Sequence, residues 1–343
     1  MSLPLLPMKG LHRRMMSRAA VAALVAVLWT AIGFAPLVAQ PQQAPPRPTE
    51  PPANDRVGVS IDRFIGDANR APSRVSHDVM LTRSILRAGD PLQPGEPGAV
   101  LRYNKEIVVA TLPPMNSTPL TRLADQLIFI VQEGEGRLDD GTLEWDLKPG
   151  IAFLVPPNQQ HRLTNSSSTP MKLLMLSRQL EPEVTPRAGI LVRNINVLAL
   201  TERNVHWSNM AKYVFSGANP DDGLHWADRV YIVYMGPMSI AGPHAHTPEQ
   251  EEAWIKITDG EALMQLGSEI RRWPKDAGFI APPNGQTVHA AINLSDEIEA
   301  WLYFARLNPE TPQPDPNAPR RGGNPVIEEA LQRATIAGRR MGG

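Results

Sequence analysis

From Val57 to Leu307 the chain alternates short apolar runs with clusters of Gly, Pro, Asn and Asp. The runs "QLIFIVQ", "IAFLVPP", "MKLLMLS", "RVYIVYM" and "EAWLYF" have the length of strands, and no long helical period interrupts them. Short strands punctuated by turn residues predict an all-β sandwich or barrel. Two polar, proline-rich stretches bracket this region. Residues 41–56, "PQQAPPRPTEPPANDR", predict an extended spacer. After Leu307, "NPETPQPDPNAPRRGGN" leads into "NPVIEEALQRATIAGRR". There Asn324 can cap, Pro325 suits a first turn and basic residues close the end, so a short C-terminal helix is expected.

An internal repeat sets the architecture. "EGEGRLDDGTLEWDLKPGIAFLVPPN" at 133–158 aligns without a gap to "DGEALMQLGSEIRRWPKDAGFIAPPN" at 259–284, an offset of 126. Gly134 and Gly260, Glu135 and Glu261, Gly141 and Gly267, and Phe153 and Phe279 coincide, as does the closing Pro-Pro-Asn. Turns and length preserved together over about one domain length indicate two homologous β domains in tandem. The expected division is 57–190 for the first, 191–307 for the second and 308–343 for the tail.

The first 40 residues read differently. Lys9, Arg13, Arg14 and Arg18 precede the apolar run 19–40, "AAVAALVAVLWTAIGFAPLVAQ", and no acid occurs before Glu50. A basic start, an apolar run and a small residue near Ala39 predict an export signal. The run is also long enough to remain as a membrane anchor. Either way the folded part is expected to face the periplasm or the exterior, with membrane contact only through this segment.

Composition narrows the chemistry. A net charge of -1 gives no electrostatic case for nucleic acid. The absence of cysteine removes disulfides, thiolate nucleophiles and Cys-ligated metal centres. The 35 prolines are about twice the usual share.

One stretch carries candidate chemistry: "GPHAHTPEQEE", residues 242–252. Histidines two apart on a strand point to one face, so His244 and His246 can reach one ion. In the following "EEAWIKITDG", Glu251 shares its parity with Ala253, Ile255 and Ile257, whereas Glu252 goes with Trp254, Lys256 and Thr258. Period-two alternation then sends Glu251 inward as the carboxylate ligand, with Glu252 as the fallback. Past a tight turn, "APPNGQTVHAAIN" offers His289, with Asn293 four residues on. Three imidazoles and a carboxylate suit Mn, Fe, Ni, Cu or Zn, with positions left for water or substrate.

"HAHTPEQE" followed by "PPNGQTVH" resembles the two conserved motifs of the cupins, HxHxxxxE and then a Pro/Gly turn with a histidine. The resemblance covers residues 95–180 and 225–306, the pattern of a bicupin: two double-stranded β-helix (jelly-roll) barrels. It implies that His244, His246, Glu251 and His289 bind the metal, with Mn or Fe the expected ion. Two departures are visible: the glutamate lies two residues further from Gly260 than is usual, and one extra residue precedes His289. In the first repeat the same offset gives Thr118, Leu120 and Asp125, while "PPNQQHRLTN" keeps His161 and Asn165. That set predicts a metal-free first barrel in which His161 is structural or lines a pocket, the structural role being preferred. His206 and His225, each beside a tryptophan, are assigned no site.

The resemblance implies an exported metal-dependent enzyme of the dioxygenase or decarboxylase class acting on a small organic substrate. Glu251 is then also the candidate to detach and shuttle a proton. The alternative is a non-catalytic binder of a sugar, organic acid or metal. Cupin barrels commonly pair, so a homo-oligomer is expected.

Overall fold

The computed structural model describes residues 53–54, 59–200, 209–248 and 250–306. The expected export segment, most of the spacer, the C-terminal helix and His206 lie outside the described residues. Within them the chain is β throughout, apart from three single-turn 3₁₀ segments. The apolar runs become strands because their β-branched and aromatic residues fit a pleated, packed surface.

Two barrels are present, each a larger sheet facing a smaller one. In the first, an eight-stranded sheet has Gln126–Glu133, Met171–Arg178 and Glu106–Leu112 at its centre. A four-stranded sheet that includes Gly136–Asp139 and Arg162–Asn165 faces it. In the second, a six-stranded sheet runs in the order Met210–Ser216, Asp228–Met235, Glu299–Arg306, Glu251–Lys256, Ala277–Ile280 and Ile65–Asp67. Its partner is three-stranded, with Ala262–Leu266 between Glu269–Arg272 and His289–Asn293.

Two short strands cross between the repeats. Ile65–Asp67, early in the chain, pairs with Ala277–Ile280 of the second barrel. Leu191–Asn194, past the first repeat, pairs with Ile151–Val155 of the first barrel. The early crossing needs a glycine, since a Cβ on Gly66 would lie 1.6 Å from the Ile85 carbonyl oxygen.

The repeat is visible in matching details. Asn165 donates to the carbonyls of Leu112, Pro113 and Thr169, and its amide oxygen accepts from Ser167. Asn293 does the same with Met235, Gly236, Glu297 and Ser295. These two asparagines fasten equivalent strand ends, which is a structural duty.

The large sheets are buried on both faces. Val108, Ala110, Leu127, Phe129 and Val131 fill the first barrel. Their neighbours Ile107, Val109, Ile128 and Ile130 turn the other way and join a cluster with Val230, Ile232, Ala253, Ile255, Leu302 and Phe304 of the second barrel. Strands with two buried faces read as continuous apolar runs rather than alternating ones. Charge is buried at this junction too. Arg178 and Arg306 end equivalent strands and are fully buried, and both are ion-paired to Asp228 and Glu181.

Candidate metal centre

His244, His246, Glu252 and His289 converge, each offering one donor atom, with all four atoms within 4.8 Å of one another. His244 and His289 are brought opposite each other by an isolated antiparallel bridge between the two segments. The ring centroids of the three histidines lie 4.4–4.9 Å apart. His246 sits on the irregular approach to the Glu251–Lys256 strand, and Glu252 is the second residue of that strand.

The hydrogen bonds orient the rings. His244 Nδ1 donates to the Gly242 carbonyl at 2.9 Å, and His246 Nδ1 is bonded to Gln250 Oε1 at 3.0 Å. Fixing Nδ1 in this way leaves Nε2 as the ligating nitrogen, a common arrangement at metal-binding histidines. His246 Nε2 is 2.6 Å from Glu252 Oε2, and His289 Nε2 is 3.1 Å from Glu252 Oε1. Burial opposes ionisation of Glu252, but the bonds and charges of His246 and His289 prevail and hold its carboxyl well below the usual range. Burial likewise works against a charged His246, yet its bond to Glu252 raises its pKa above the ordinary value. His244 is shifted down by burial and by the nearby His289.

This donor set fits a divalent transition metal. Three imidazoles and one carboxylate surround a single point, and a cation there would meet the Nε2 atoms and carboxylate oxygens that now face one another.

Glu251, the sequence-predicted ligand, is not part of the cluster. It lies on the opposite face of the strand and reaches into the first repeat. Its Oε2 accepts from the backbone N–H groups of Arg102 and Tyr103, the latter at 3.1 Å, and its Oε1 accepts from Asn104 Nδ2 at 2.6 Å. Burial raises its pKa. Alternation does not separate the two glutamates here, because all six residues of Glu251–Lys256 are buried. Ala253 and Ile255 face the other barrel, whereas Trp254 and Lys256 share the inner face with Glu252. Lys256 is neutralised there by Glu299 at 2.9 Å.

A second signal was available in the repeat. Pairing with Phe153 and Phe279 makes Phe129 the equivalent of Trp254. One more residue separates Trp254 from Gly260 than separates Phe129 from Gly134, so the offset upstream of the turn is 125. The first-barrel counterpart of Glu252 is then Leu127, buried among that barrel's apolar residues.

The other first-repeat positions are dispersed. Thr118 Oγ1 accepts from the Leu163 N–H, Leu120 is exposed, and Asp125 pairs with Lys105 at 2.7 Å. His161 Nε2 instead meets His77 Nε2 at 3.2 Å, a partner from outside the repeat. His77 precedes the repeat and takes a left-handed backbone conformation, so no spacing rule marks it. His225 accepts from the Ala227 N–H and stands apart from the cluster.

With this geometry in hand, the similarities to known proteins can be placed. Residues 108–177 match the Cupin_2 family model, a cupin domain. No curated protein matches the sequence. The structure is similar to that of a protein assigned as glyoxylate-induced from Pseudomonas aeruginosa, with a TM-score of 0.56 and 14% identity over 71% of this chain and 87% of that one. It is similar to AerE from Microcystis aeruginosa, with a TM-score of 0.53 and 13% identity over 71% and 99%. It is also similar to oxalate decarboxylase from Bacillus subtilis, with a TM-score of 0.53 and 12% identity over 75% and 79%. At these identities the likeness establishes the fold, which is that of paired cupin barrels.

Proposed function

We propose that the second barrel holds one divalent transition metal, Mn or Fe in the native protein, and that the chain is a metal-dependent enzyme acting on a small organic substrate. The observation that carries this reading is the buried cluster of His244, His246, Glu252 and His289. A bound divalent ion supplies Lewis acidity, and with four protein ligands it keeps positions for water or a substrate oxygen. The protein's part is to hold the ligand rings in fixed orientation and to exclude bulk water. Aromatic walls do the latter: Trp254 and Phe279 lie within 6.0 Å of the His289 ring, centroid to centroid. The expected reaction is of the decarboxylase or dioxygenase type. The likeness to oxalate decarboxylase supports the first only through the shared fold.

Glu251 takes no proton-shuttle role in this scheme, because it is buried against the other repeat. We also propose that the chain is exported, on the strength of the basic and apolar segments within residues 1–40, and that it self-associates. The deciding experiment is metal analysis of protein purified from its native compartment, followed by oxygen uptake and carbon dioxide release over dicarboxylic acids, catechols and flavonols. Stoichiometric metal with turnover of one class supports the enzyme. Metal without turnover assigns the barrel to binding, and lack of metal defeats the proposal.

A further inference from the structure

Arg229 lies on the inner face of the second barrel's large sheet, level with the metal-site carboxylate. It is directly opposite Ala305, and Ala305 is directly opposite Glu252, so the three side chains project from one face. Two strand spacings put the Cα atoms of Glu252 and Arg229 about 10 Å apart. The residue between them carries only a methyl group, which leaves room above it. The adjoining row is aromatic: Tyr213, Tyr231, Tyr303 and Trp254 are opposite one another on successive strands. Their ring centroids lie 5.0, 4.1 and 5.1 Å apart in that order. The row runs from Tyr213, which is exposed, to Trp254, which is buried with its ring 6.0 Å from that of His289. A floor of rings thus leads from solvent to the metal ligands, with Arg229 beside it.

Other cations on these strands are neutralised within the chain. Arg306 pairs with Asp228 and Glu181, and Lys256 with Glu299. Arg229 is half-buried, and among the described residues no carboxylate pairs with it. Its Nη1 donates to the carbonyls of Trp226 and Asp228, each at 2.7 Å. Those two bonds occupy both Nη1 hydrogens and fix the plane of the guanidinium. The Nε and Nη2 hydrogens form the fork that matches a carboxylate with two parallel bonds. Among the described residues that fork meets no acceptor.

Charge points to the occupant. A divalent ion held by Glu252 and three neutral imidazoles retains one positive charge, and Arg229 adds a second. Charge taken out of water is stable where an opposite charge meets it. We propose that Arg229 is a substrate-binding residue and that the centre takes a small dicarboxylate, with one carboxylate at the metal and the other on the Arg229 fork. The carbon chain between them lies over the aromatic floor. This rests on the metal-binding reading above and narrows its substrate to one class. Catechols and flavonols offer no carboxylate to Arg229 and are excluded by it.

The test loads the full chain with Mn²⁺ and titrates it calorimetrically with malonate and succinate, each compared with its monoamide. Diacid and monoamide both offer a carboxylate to the metal, and only the diacid offers a second one to Arg229. Wild type is expected to bind at least one diacid about 10- to 100-fold more tightly than its monoamide. Arg229→Gln should bind the two alike while keeping its Mn²⁺ affinity, and Arg229→Lys should recover part of the preference through charge without the fork. A wild type that binds no Mn²⁺ defeats the metal-binding reading itself. A wild type that binds Mn²⁺ but prefers neither diacid, or a preference that persists in Arg229→Gln, overturns the assignment of Arg229 alone. Should Arg229→Gln fail to fold, modification of wild-type arginines by phenylglyoxal decides, read by peptide mass. The preferred diacid should shield Arg229 where its monoamide does not, and equal modification with both overturns the proposal.

Discussion

Two neighbouring carboxylates, Glu251 and Glu252, divide two duties between the faces of one strand. Glu252 meets the histidines, and Glu251 satisfies three donors of the first repeat. Glu252→Gln should therefore weaken metal binding by at least about 100-fold with little loss of fold. Glu251→Ala should retain the metal but lose about 3 kcal/mol of stability, since it strands buried N–H groups. Calorimetric metal titration and urea denaturation of the two variants check this contrast. The first barrel gives a second residue-scale prediction. His161 Nδ1 faces the Gln159 carbonyl at 3.2 Å, so it carries the hydrogen and its Nε2 accepts. His77 Nε2 must then donate, and its Nδ1 accepts from the Ser76 hydroxyl at 2.7 Å. Burial, then the facing His161, pushes the His77 pKa down to about 4, against a smaller opposing pull from Asp78. Between pH 6.5 and 4 the unfolded chain gains a proton that the folded chain does not. Stability from this group is thus complete above pH 6.5 and falls on acidification, by about 3 kcal/mol at pH 4. His77→Gln, which keeps a donor without titrating, should flatten that part of the curve in urea midpoints measured from pH 7 to 4.

At the scale of elements, the barrels are tied by exchanged strands and by a buried ion cluster. Asp228 accepts from Arg178 and is ion-paired to Arg306 at 2.9 Å, and all three are fully buried. Removing it leaves two guanidinium groups under-neutralised in the interior. Asp228→Ala is predicted to lose about 3–5 kcal/mol, measured as the shift of a single urea transition reported by both barrels. A transition that splits in two would show the barrels uncoupled. Strand positions were legible in the sequence because apolar runs and turn residues punctuate it clearly. The repeat was legible because "PPN" and the turn glycines keep their spacing. The choice between adjacent glutamates was not. Alternation distinguishes inside from outside only where one face meets water, and Glu251–Lys256 has no such face. Nor did spacing reveal His77, which enters its barrel from a segment upstream of the repeat.

At the scale of the molecule, two copies of one architecture have come to hold different centres. The second has three histidines and Glu252. The first keeps His161 at the place of His289, has Leu127 in place of Glu252, and closes its centre with a histidine pair. The account therefore predicts an asymmetric protein with one metal per chain. The most direct check is elemental analysis of the full chain after equilibration with Mn²⁺ and removal of free ion. Wild type and His161→Ala should each retain one equivalent, while His244→Ala and His289→Ala retain close to none. Retention of metal by His289→Ala, or its loss in His161→Ala, would contradict the assignment of the centre to the second barrel.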